Sequence, residues 1–365
     1  MPLHLHVDGV RNYWHSLAQL PVQQGRDSVM AKVAVIGTGT IGTELREQLI
    51  QSGHDVRVMV SRKEIRLFED NRPASLVAFD GTIVGSINAS APDIDAVMLA
   101  IPNGDKGRAE LAYMNAFHDK HLVTCAKAAH AYQYAAVRTF SKPIGRRATV
   151  GGGTDMLEVL RRRQLQREDV TIHAVINGTL NHVWSTIQTG GSFAEAVSDA
   201  KDLKYAEPGN DDLVGIVNDE LLDVAMKAAI IRNVALQCGV EPCTADDFTI
   251  VPLTWKDIMR LTSRNARYRF ITSFSSVDDV DEIEEGSPGS IRAVCGRWRI
   301  TGGFRDVKAE SPWFDFLREV GGVKNGFVIH NARGKDTGNS LTGPGAGPVV
   351  TAKAMVRDLH DLLSI

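Results

Sequence analysis

The stretch that decides the fold reads KVAVIGTGTIG, from Lys32 to Gly42. Its apolar part, Val33–Ile36, predicts a buried strand, and the motif GxGxxG follows without a gap. We expect Thr43–Gln51 to form a helix and Val56–Val60 to form a second strand, parallel to the first. A strand, glycine loop, helix and strand within about 30 residues are typical of a Rossmann-type dinucleotide site.

Each glycine of this loop has a physical role in such a site. Gly37 allows the tight turn, Gly39 lets the backbone approach a pyrophosphate, and Gly42 lets the helix pack closely on the strand. The helix N-terminus then offers free N–H groups to the phosphates. The residues predicted to contact the cofactor here are Gly37, Thr38, Gly39, Thr40, Ile41 and Gly42.

The end of the second strand predicts which dinucleotide binds. NAD sites usually place an acid there, about 20 residues after the glycines, to bind the ribose 2′-hydroxyl. This chain has Ser61, Arg62 and Lys63 instead. A hydroxyl and two cations suit a 2′-phosphate, so we favour NADP over NAD. In the alternative, NAD binds and the two cations are ordinary surface charges.

Outward from this unit, the chain alternates strands and helices as far as residue 150. The further elements are predicted strands at Leu76–Ala78, Ala96–Ile101 and Leu122–Cys125, and a helix at Lys106–Phe117. This alternation predicts an α/β fold with a doubly wound parallel sheet. Residues 1–29 lack such a pattern, so we treat them as an extension of unknown status.

After residue 150 the rhythm changes to an α+β pattern that predicts a second domain with an antiparallel sheet. We expect helices near 156–166, 180–189, 214–238 and 256–264, and strands near 170–176, 268–274, 292–301 and 326–330. The tail, 351–363, reads as an amphipathic helix after another glycine loop.

Composition excludes several classes of function. The chain has 365 residues, which suggests two or three domains, and its net charge of −3 favours neither nucleic acid nor an anionic membrane as a partner. Its apolar runs are far shorter than the ~20 residues that a membrane helix needs. The four cysteines form no CxxC and no zinc pattern, so we expect a reducing, cytoplasmic location.

Three further segments place charged or polar groups where ligands bind. Lys127 ends a predicted strand, and the carboxyl ends of strands in doubly wound sheets face the ligand crevice. Asn177, Gly178 and Thr179 form a strand-to-helix turn that suits a substrate carboxylate, or only caps the helix through Thr179 or Asn181. An exposed surface lysine is the alternative for Lys127.

The third segment joins an acidic loop to a helix. The loop holds Glu207, Asp211 and Asp212, which suit a substrate ammonium group. Asp223 and Lys227 follow at i,i+4 among apolar residues, which places the pair at the edge of the core. A partly buried lysine can exchange a proton in catalysis, whereas an exposed pair would be of little consequence.

In their order and spacing, these motifs resemble the homoserine dehydrogenase family, over residues 31–363. The matching segments are GTGTIG at Gly37, VTCAKA around Lys127, VGGGTD at Val150, VINGTLNHV around Asn177, YAEPGNDDL around Glu207, LDVAMK ending at Lys227, and GPGAGPVVTAKAMVRDL from Gly343. The resemblance implies that L-homoserine and L-aspartate 4-semialdehyde are interconverted with NADP. It also implies a homodimer with a split Rossmann domain, here 31–150 plus 339–365, and a substrate-binding and dimerisation domain, 151–338.

The resemblance also assigns roles to residues. Lys227 matches the proton donor to the carbonyl oxygen, Asp223 the group that orients it, and Lys127 the second lysine of the active site. The implied substrate ligands are Glu207, Asp212, Asn177, Gly178 and Thr179, and the loop implied to close over the cofactor is Gly345, Ala346 and Gly347.

The chain departs from the family pattern at several positions. Arg147 replaces a glutamate that helps to hold a monovalent cation, so we predict no metal site there. Thr154-Asp155 replaces a proline, Ala100–Asn103 lacks a usual glutamate, and 212–223 is about six residues longer than expected. The alternatives are therefore a dehydrogenase of a related hydroxy amino acid or hydroxy acid, or a non-catalytic dinucleotide-binding protein. The three retained charges at 127, 223 and 227 argue against the last.

Overall fold

The computed structural model of the chain describes most of the sequence from Met30 onward. The described residues are 30–78, 85, 87, 91–165, 168–206, 210–237, 241–262, 267–276, 286–308, 312–331 and 336–364. The N-terminal extension, 1–29, and the predicted ligand Glu207 lie outside them.

The first sheet has seven strands in the order β4-β3-β2-β1-β5-β6-β7. They are β1 (Lys32–Ile36), β2 (Asp55–Val60), β3 (Glu64–Glu69), β4 (Arg72–Ala78), β5 (Ala96–Leu99), β6 (His121–Thr124) and β7 (Ile144–Gly145). Strands β2, β1, β5, β6 and β7 pair in parallel, so their carboxyl ends share one edge. The chain reverses its direction of winding between β1 and β5, where ligands bind in sheets of this kind.

An antiparallel hairpin extends the predicted parallel sheet at its other end. The predicted strand Leu76–Ala78 is part of β4, which runs antiparallel to β3, and β3 runs antiparallel to β2. Asp70 and Asn71 form the turn with φ of 47° and 63°. Two left-handed residues between strands are typical of a type I′ hairpin, which asparagine and aspartate tolerate.

The helices of the first part cover both faces of this sheet. They are α1 (Thr40–Gln51), α2 (Arg108–Ala116), α3 (Ala128–Tyr132) and α4 (Tyr134–Val137), together with the C-terminal helix α11 (Pro348–Leu363). Leu45 and Leu49, one turn apart on α1, share a buried cluster with Met355 and Leu359 of α11. The C-terminal helix therefore packs beside the first helix, on the strands of the glycine-loop unit.

The second sheet is antiparallel, in the order β14-β13-β8-β10-β12-β11-β9. Its strands are β8 (Val170–Val175), β9 (Thr249–Val251), β10 (Tyr268–Ser275), β11 (Ser290–Cys295), β12 (Trp298–Asp306), β13 (Lys324–Asn331) and β14 (Asp336–Pro344). The single strand predicted near 292–301 was wrong: a turn at Gly296, with φ of 66°, divides it into β11 and β12. Strands β9 and β14 were not predicted.

Six helices of the described chain belong to the second part. They are α5 (Met156–Arg163), α6 (Gly178–Gln188), α7 (Phe193–Asp202), α8 (Leu213–Val234), α9 (Trp255–Thr262) and α10 (Pro312–Arg318). The longest, α8, is buried over most of its length and lies between α3 of the first part and strand β11 of the second. Among the described residues, no helix has the length and apolar character needed to cross a membrane.

Candidate active site

The glycine loop joins β1 to α1 as the sequence motif requires. Gly37 has φ of 121°, and a Cβ there would lie 2.1 Å from the Ala100 carbonyl oxygen. A Cβ at Gly42 would lie 1.9 Å from the carbonyl oxygen of Gly37. Both positions therefore need glycine. Gly39 instead faces open space and caps α1 without a side-chain bond, so the first N–H groups of the helix can meet phosphates.

The turn after β2 presents the cations predicted for a 2′-phosphate. Ser61 Oγ accepts from the backbone N–H groups of Lys63 and Glu64, each at 3.1 Å, which holds the turn. Arg62 and Lys63 are exposed, and neither forms an ion pair with another described residue. The neighbouring acid, Glu64, pairs with Arg66 at 2.5 Å rather than with Arg62 or Lys63.

The structure brings Lys127, Asp223 and Lys227 together. Lys127 follows β6 at the carboxyl edge of the first sheet, and the other two lie one turn apart on α8. Asp223 Oδ1 is 2.7 Å from Lys127 Nζ, and Asp223 Oδ2 is 2.6 Å from Lys227 Nζ. The aspartate side chain is only 3% exposed and each lysine 13%, so the three form a nearly dry charge cluster.

Two opposing effects act on the aspartate of this cluster. Burial raises the pKa of the Asp223 carboxyl, but Lys127 and Lys227 together lower it well below its usual range. The carboxylate is therefore charged at neutral pH and holds both ammonium groups beside one another.

Asn177 connects this cluster to the second sheet. Its Oδ1 accepts from the N–H of Leu180 at 2.7 Å, so Asn177 caps α6, and the expected cap by Thr179 or Asn181 was wrong. Its Nδ2 donates to Asp223 at 2.9 Å and to Glu220 at 2.6 Å. Asn177 therefore both caps α6 and orients the Asp223 carboxylate.

Glu220 was not among the site residues predicted from the sequence. It lies one turn before Asp223 on the same face of α8 and is almost fully buried. The spacing of the two acids was readable in the sequence, but without Asn177 beside them nothing distinguished Glu220 from an exposed acid.

Two further residues that the sequence did not single out position Lys127. The backbone N–H of Lys127 donates to Asn103 Oδ1 at 2.7 Å. Glu110 accepts from Thr124 Oγ1 and from the N–H of Ala129, each at 2.8 Å, so it ties down both ends of the Lys127 segment. Burial raises the pKa of Glu110 to about 7.

The glycine loop before α11 meets the start of α6. A Cβ at Gly178 would lie 3.0 Å from the Cβ of Ala346, and one at Gly152 would lie 2.7 Å from the carbonyl oxygen of Gly345. Gly347 then caps α11 without a side-chain bond. The predicted loop Gly345–Gly347 thus adjoins the turn that carries Asn177.

Other predicted substrate ligands lie outside the charge cluster. Thr179 donates through Oγ1 to the Tyr205 carbonyl oxygen at 2.7 Å. Asp212 is exposed and caps α8, accepting from the N–H of Gly215 at 2.6 Å. Eleven residues of helix separate it from Asp223, about 16 Å along the axis.

The Arg147 guanidinium pairs with three carboxylates. Its Nη1 lies 2.6 Å from Asp358 and its Nη2 2.6 Å from Asp361, both on α11, and its Nε lies 3.5 Å from Asp155. Burial raises the pKa of Asp358 to about 6, against the opposing charge of Arg147. Through its ion pairs with Asp358 and Asp361, Arg147 therefore attaches α11 to the segment before the Gly151–Gly153 turn.

A disulfide that was not predicted from the sequence lies near the end of α8. Cys243 and Cys295 form a disulfide, and Asp247 lies within 4.8 Å of both sulfur atoms. Sulfurs joined in this way are not thiolates and so do not offer the ligands that a soft metal ion prefers. Cys125, directly after β6, is not part of this disulfide, and its thiol donates to the Leu99 carbonyl oxygen at 3.6 Å.

The fold and the site together define a class of protein. A Rossmann-type sheet with a phosphate-binding glycine loop, next to a buried lysine–aspartate–lysine cluster, is the arrangement of a dinucleotide-dependent oxidoreductase. The family model of homoserine dehydrogenase matches residues 156–360, and that of NADP oxidoreductase, coenzyme F420-dependent, matches residues 32–127. The chain belongs to the homoserine dehydrogenase family.

Individual relatives are distant but cover most of the chain. It is 24% identical over 346 residues to homoserine dehydrogenase of Synechocystis, covering 92% of this chain and 73% of that protein. The enzyme of Sulfurisphaera tokodaii is 25% identical, with 90% and 97% covered. A bifunctional aspartokinase/homoserine dehydrogenase of Arabidopsis thaliana is 27% identical, but the chain spans only 23% of its length.

Solved structures share the fold. Homoserine dehydrogenase from Thermoplasma acidophilum has a TM-score of 0.64 at 20% identity, covering 92% of this chain and 100% of that one. A hyperthermophilic archaeal homoserine dehydrogenase in complex with NADPH has the same TM-score at 19% identity, covering 92% and 98%.

Proposed function

We propose that the chain is an NADP-dependent homoserine dehydrogenase, which interconverts L-homoserine and L-aspartate 4-semialdehyde by hydride transfer. The observation that carries this proposal is Asp223 holding Lys127 and Lys227 at 2.7 and 2.6 Å, at the carboxyl edge of a dinucleotide-binding sheet. The names of the relatives and the NADPH complex of the archaeal neighbour support the same reaction and cofactor.

The residues of the glycine loop fit a pyrophosphate, and Ser61, Arg62 and Lys63 fit a ribose 2′-phosphate. The bound nicotinamide would accept a hydride from the alcohol or donate one to the aldehyde. When an aldehyde gains a hydride, its oxygen becomes an alkoxide that needs a proton. We assign Lys227 to supply that proton, and Asp223, 2.6 Å from its Nζ, to orient it.

Lys127 has a separate place in this mechanism. It extends from the edge of the first sheet, on the cofactor side of the cluster, to the same aspartate. We assign it to orienting the substrate oxygen next to the nicotinamide. Asn177, Gly178 and Thr179, with Glu207 and Asp212, are the substrate-binding residues that the family resemblance implies for the carboxylate and ammonium ends.

The direct test is an assay of NADPH oxidation by the purified chain with L-aspartate 4-semialdehyde. We expect saturable turnover, together with reduction of NADP⁺ when L-homoserine is supplied. Absence of turnover in both directions by folded protein would overturn the proposal.

A second candidate substrate is favoured by one observation. Asp212 caps α8 far from the charge cluster, so one of the implied ammonium ligands lies away from Lys227. A related hydroxy amino acid or a hydroxy acid without an ammonium group would need fewer anionic ligands. Comparing kcat/KM for L-homoserine with that for shorter and longer hydroxy acids distinguishes the two substrates.

We also propose the organisation of the whole chain. Residues 31–150 and 339–365 would form the dinucleotide-binding domain and 151–338 the substrate-binding and dimerisation domain, although strand β14 crosses the second boundary. A homodimer follows from the family resemblance. The proposed cytoplasmic location rests on the sparse cysteines, and the Cys243–Cys295 disulfide argues against it. Light scattering on a size-exclusion column measures the first, and fractionation of cells the second.

A further inference from the structure

A basic cavity lies apart from the charge cluster, between the first part of the chain and the end of α8. Its volume is about 500 Å³. The cations that line it are Arg138, Lys142, Arg146 and Arg232, and its described lining includes no aspartate or glutamate. Four cations around one small cavity without a lining acid attract an anion.

The cavity and the catalytic residues occupy different sides of α8. Arg232 follows Lys227 by five residues, which turns it about 140° around the helix and moves it about 7.5 Å along the axis. Across the cavity, Gln237 Nε2 donates to Tyr134 Oη at 3.0 Å and closes one wall. The space is therefore not a continuation of the lysine–aspartate site.

The four cations differ in how they are held. Arg232 is buried and fixed by the carbonyl oxygen of Cys295, to which its Nε donates at 3.3 Å. The ammonium group of Lys142 donates to the carbonyl oxygen of Asp119, and Arg138 is exposed at the mouth.

Arg146 is the residue that points to a ligand. Its Nε donates to the Ile144 carbonyl oxygen at 3.2 Å, but among the described residues it forms no ion pair with a carboxylate. Burial lowers the pKa of this guanidinium from its usual value, because the charge is taken out of water. Asp358 and Glu158 act on this charge from beyond ion-pair distance, and neither lines the cavity. Desolvating an arginine is costly, and an oxyanion bound in the cavity would offset that cost.

We propose that this cavity binds a small multivalent oxyanion, a phosphate or a di- or tricarboxylate, with Arg146 as the central ligand and Arg138 and Lys142 at the mouth. Guanidinium groups bind planar or tetrahedral oxyanions through paired hydrogen bonds, which explains the preference for arginine here. Neither the substrate nor the dinucleotide is required for this binding.

Isothermal titration calorimetry of the full chain with inorganic phosphate, and separately with citrate, tests the proposal. We expect at least one probe to bind, and Arg146→Gln to weaken that binding by at least about tenfold. The matched control is Arg162→Gln, an exposed arginine on α5, which should bind as the wild type does. Phosphate preferred over citrate, or the reverse, identifies the class of anion.

Two further variants keep the test decisive. The double variant Arg138→Gln/Lys142→Gln changes only exposed side chains, so we expect it to fold. It should bind the anion several-fold more weakly than the wild type, and it therefore tests the proposal even if Arg146→Gln does not fold. Arg62→Gln should bind normally, because it alters only the cofactor site. Failure of both probes to bind the wild type, unchanged binding by the double variant, or loss of binding in Arg62→Gln would overturn the proposal.

Discussion

At the scale of single residues, Asp223 is the group that pairs with both lysines of the charge cluster. One carboxylate oxygen faces Lys127 and the other faces Lys227. Because the side chain is almost completely buried, water screens these interactions little. Removing the negative charge would leave two ammonium groups near each other without a counter-charge, and at least one of them would lose its proton or its position.

The variant Asp223→Asn is therefore expected to lower kcat by about a hundredfold or more, the range typical of lost acid–base catalysis. Asp219→Asn, an exposed change one turn away on the same helix, is the matched control and should retain wild-type kcat. Steady-state kinetics with NADPH and the aldehyde measure both. Equal kcat values for the two variants would contradict the role of Asp223.

Glu110 predicts a pH dependence of stability. Burial raises the pKa of its carboxyl from 4.5 to about 7, so the native state favours the protonated form. The stability that this provides is complete below about pH 4.5 and is lost as the pH rises through 7. Glu110→Gln lacks this titration, so from pH 5.5 to 8.5 the wild type should lose of the order of 1–3 kcal/mol relative to the variant.

Urea unfolding of both proteins at the two pH values measures this difference. If the free energies of unfolding of wild type and Glu110→Gln changed in parallel with pH, Glu110 would not titrate as proposed.

The chemistry-bearing residues of the cluster were predictable, but their supports were not. Lys127, Asp223 and Lys227 lie at strand ends and helix spacings that sequence patterns reveal. Glu110 and Asn103 act on Lys127 through contacts that exist only once β5, β6 and α2 have packed. A buried glutamate and a half-buried asparagine look like surface residues in a sequence, because polarity alone does not report burial.

At the scale of elements, we expect the turn between β2 and β3 to select NADP over NAD. Its two cations are exposed and unengaged by described acids, so a 2′-phosphate can bind them without breaking another ion pair. We expect Arg62→Gln to reduce kcat/KM for NADPH by about tenfold while changing kcat/KM for NADH little. Kinetics with the two cofactors give this ratio, and equal losses with both would contradict 2′-phosphate recognition.

The C-terminal helix α11 is fixed by one buried arginine. Removing Arg147 would leave Asp358 buried without its partner, so Arg147→Met should lower the free energy of unfolding by about 3–5 kcal/mol. Arg357 lies on the same helix and forms an exposed ion pair with Asp155. Arg357→Met should therefore lower the free energy of unfolding by at most about 1 kcal/mol. Urea unfolding compares the two variants, and similar losses would show that burial of the Arg147 pair is unimportant.

The elements that prediction missed have identifiable physical causes. The β3–β4 hairpin breaks the predicted alternation of strands and helices. Its only indication in the sequence is the Asp70-Asn71 pair at the turn. Helix α7 begins with a capping box, in which Ser192 and Glu195 bond reciprocally, and this sign was present in the sequence. Strand β14 contains glycine and polar residues, so pairing with β13 rather than its own propensity makes it a strand.

At the scale of the whole molecule, α8 is the element that joins the two sheets into one active site. It carries Asp223 and Lys227 and packs against α3, which follows directly after Lys127. Sequence patterns indicated both sheets, but the meeting of Lys127 with Asp223 across 96 residues of chain depends on how the helices pack. The same helix ends at the basic cavity, so the two sites share one rigid support.

We infer above all that Lys227 donates the proton when NADPH reduces the aldehyde. The most direct test is single-turnover oxidation of NADPH by L-aspartate 4-semialdehyde in the wild type and in Lys227→Met, with cofactor binding measured separately. We expect Lys227→Met to bind NADPH as the wild type does but to oxidise it at least about a hundredfold more slowly. An unchanged single-turnover rate in folded Lys227→Met would contradict it.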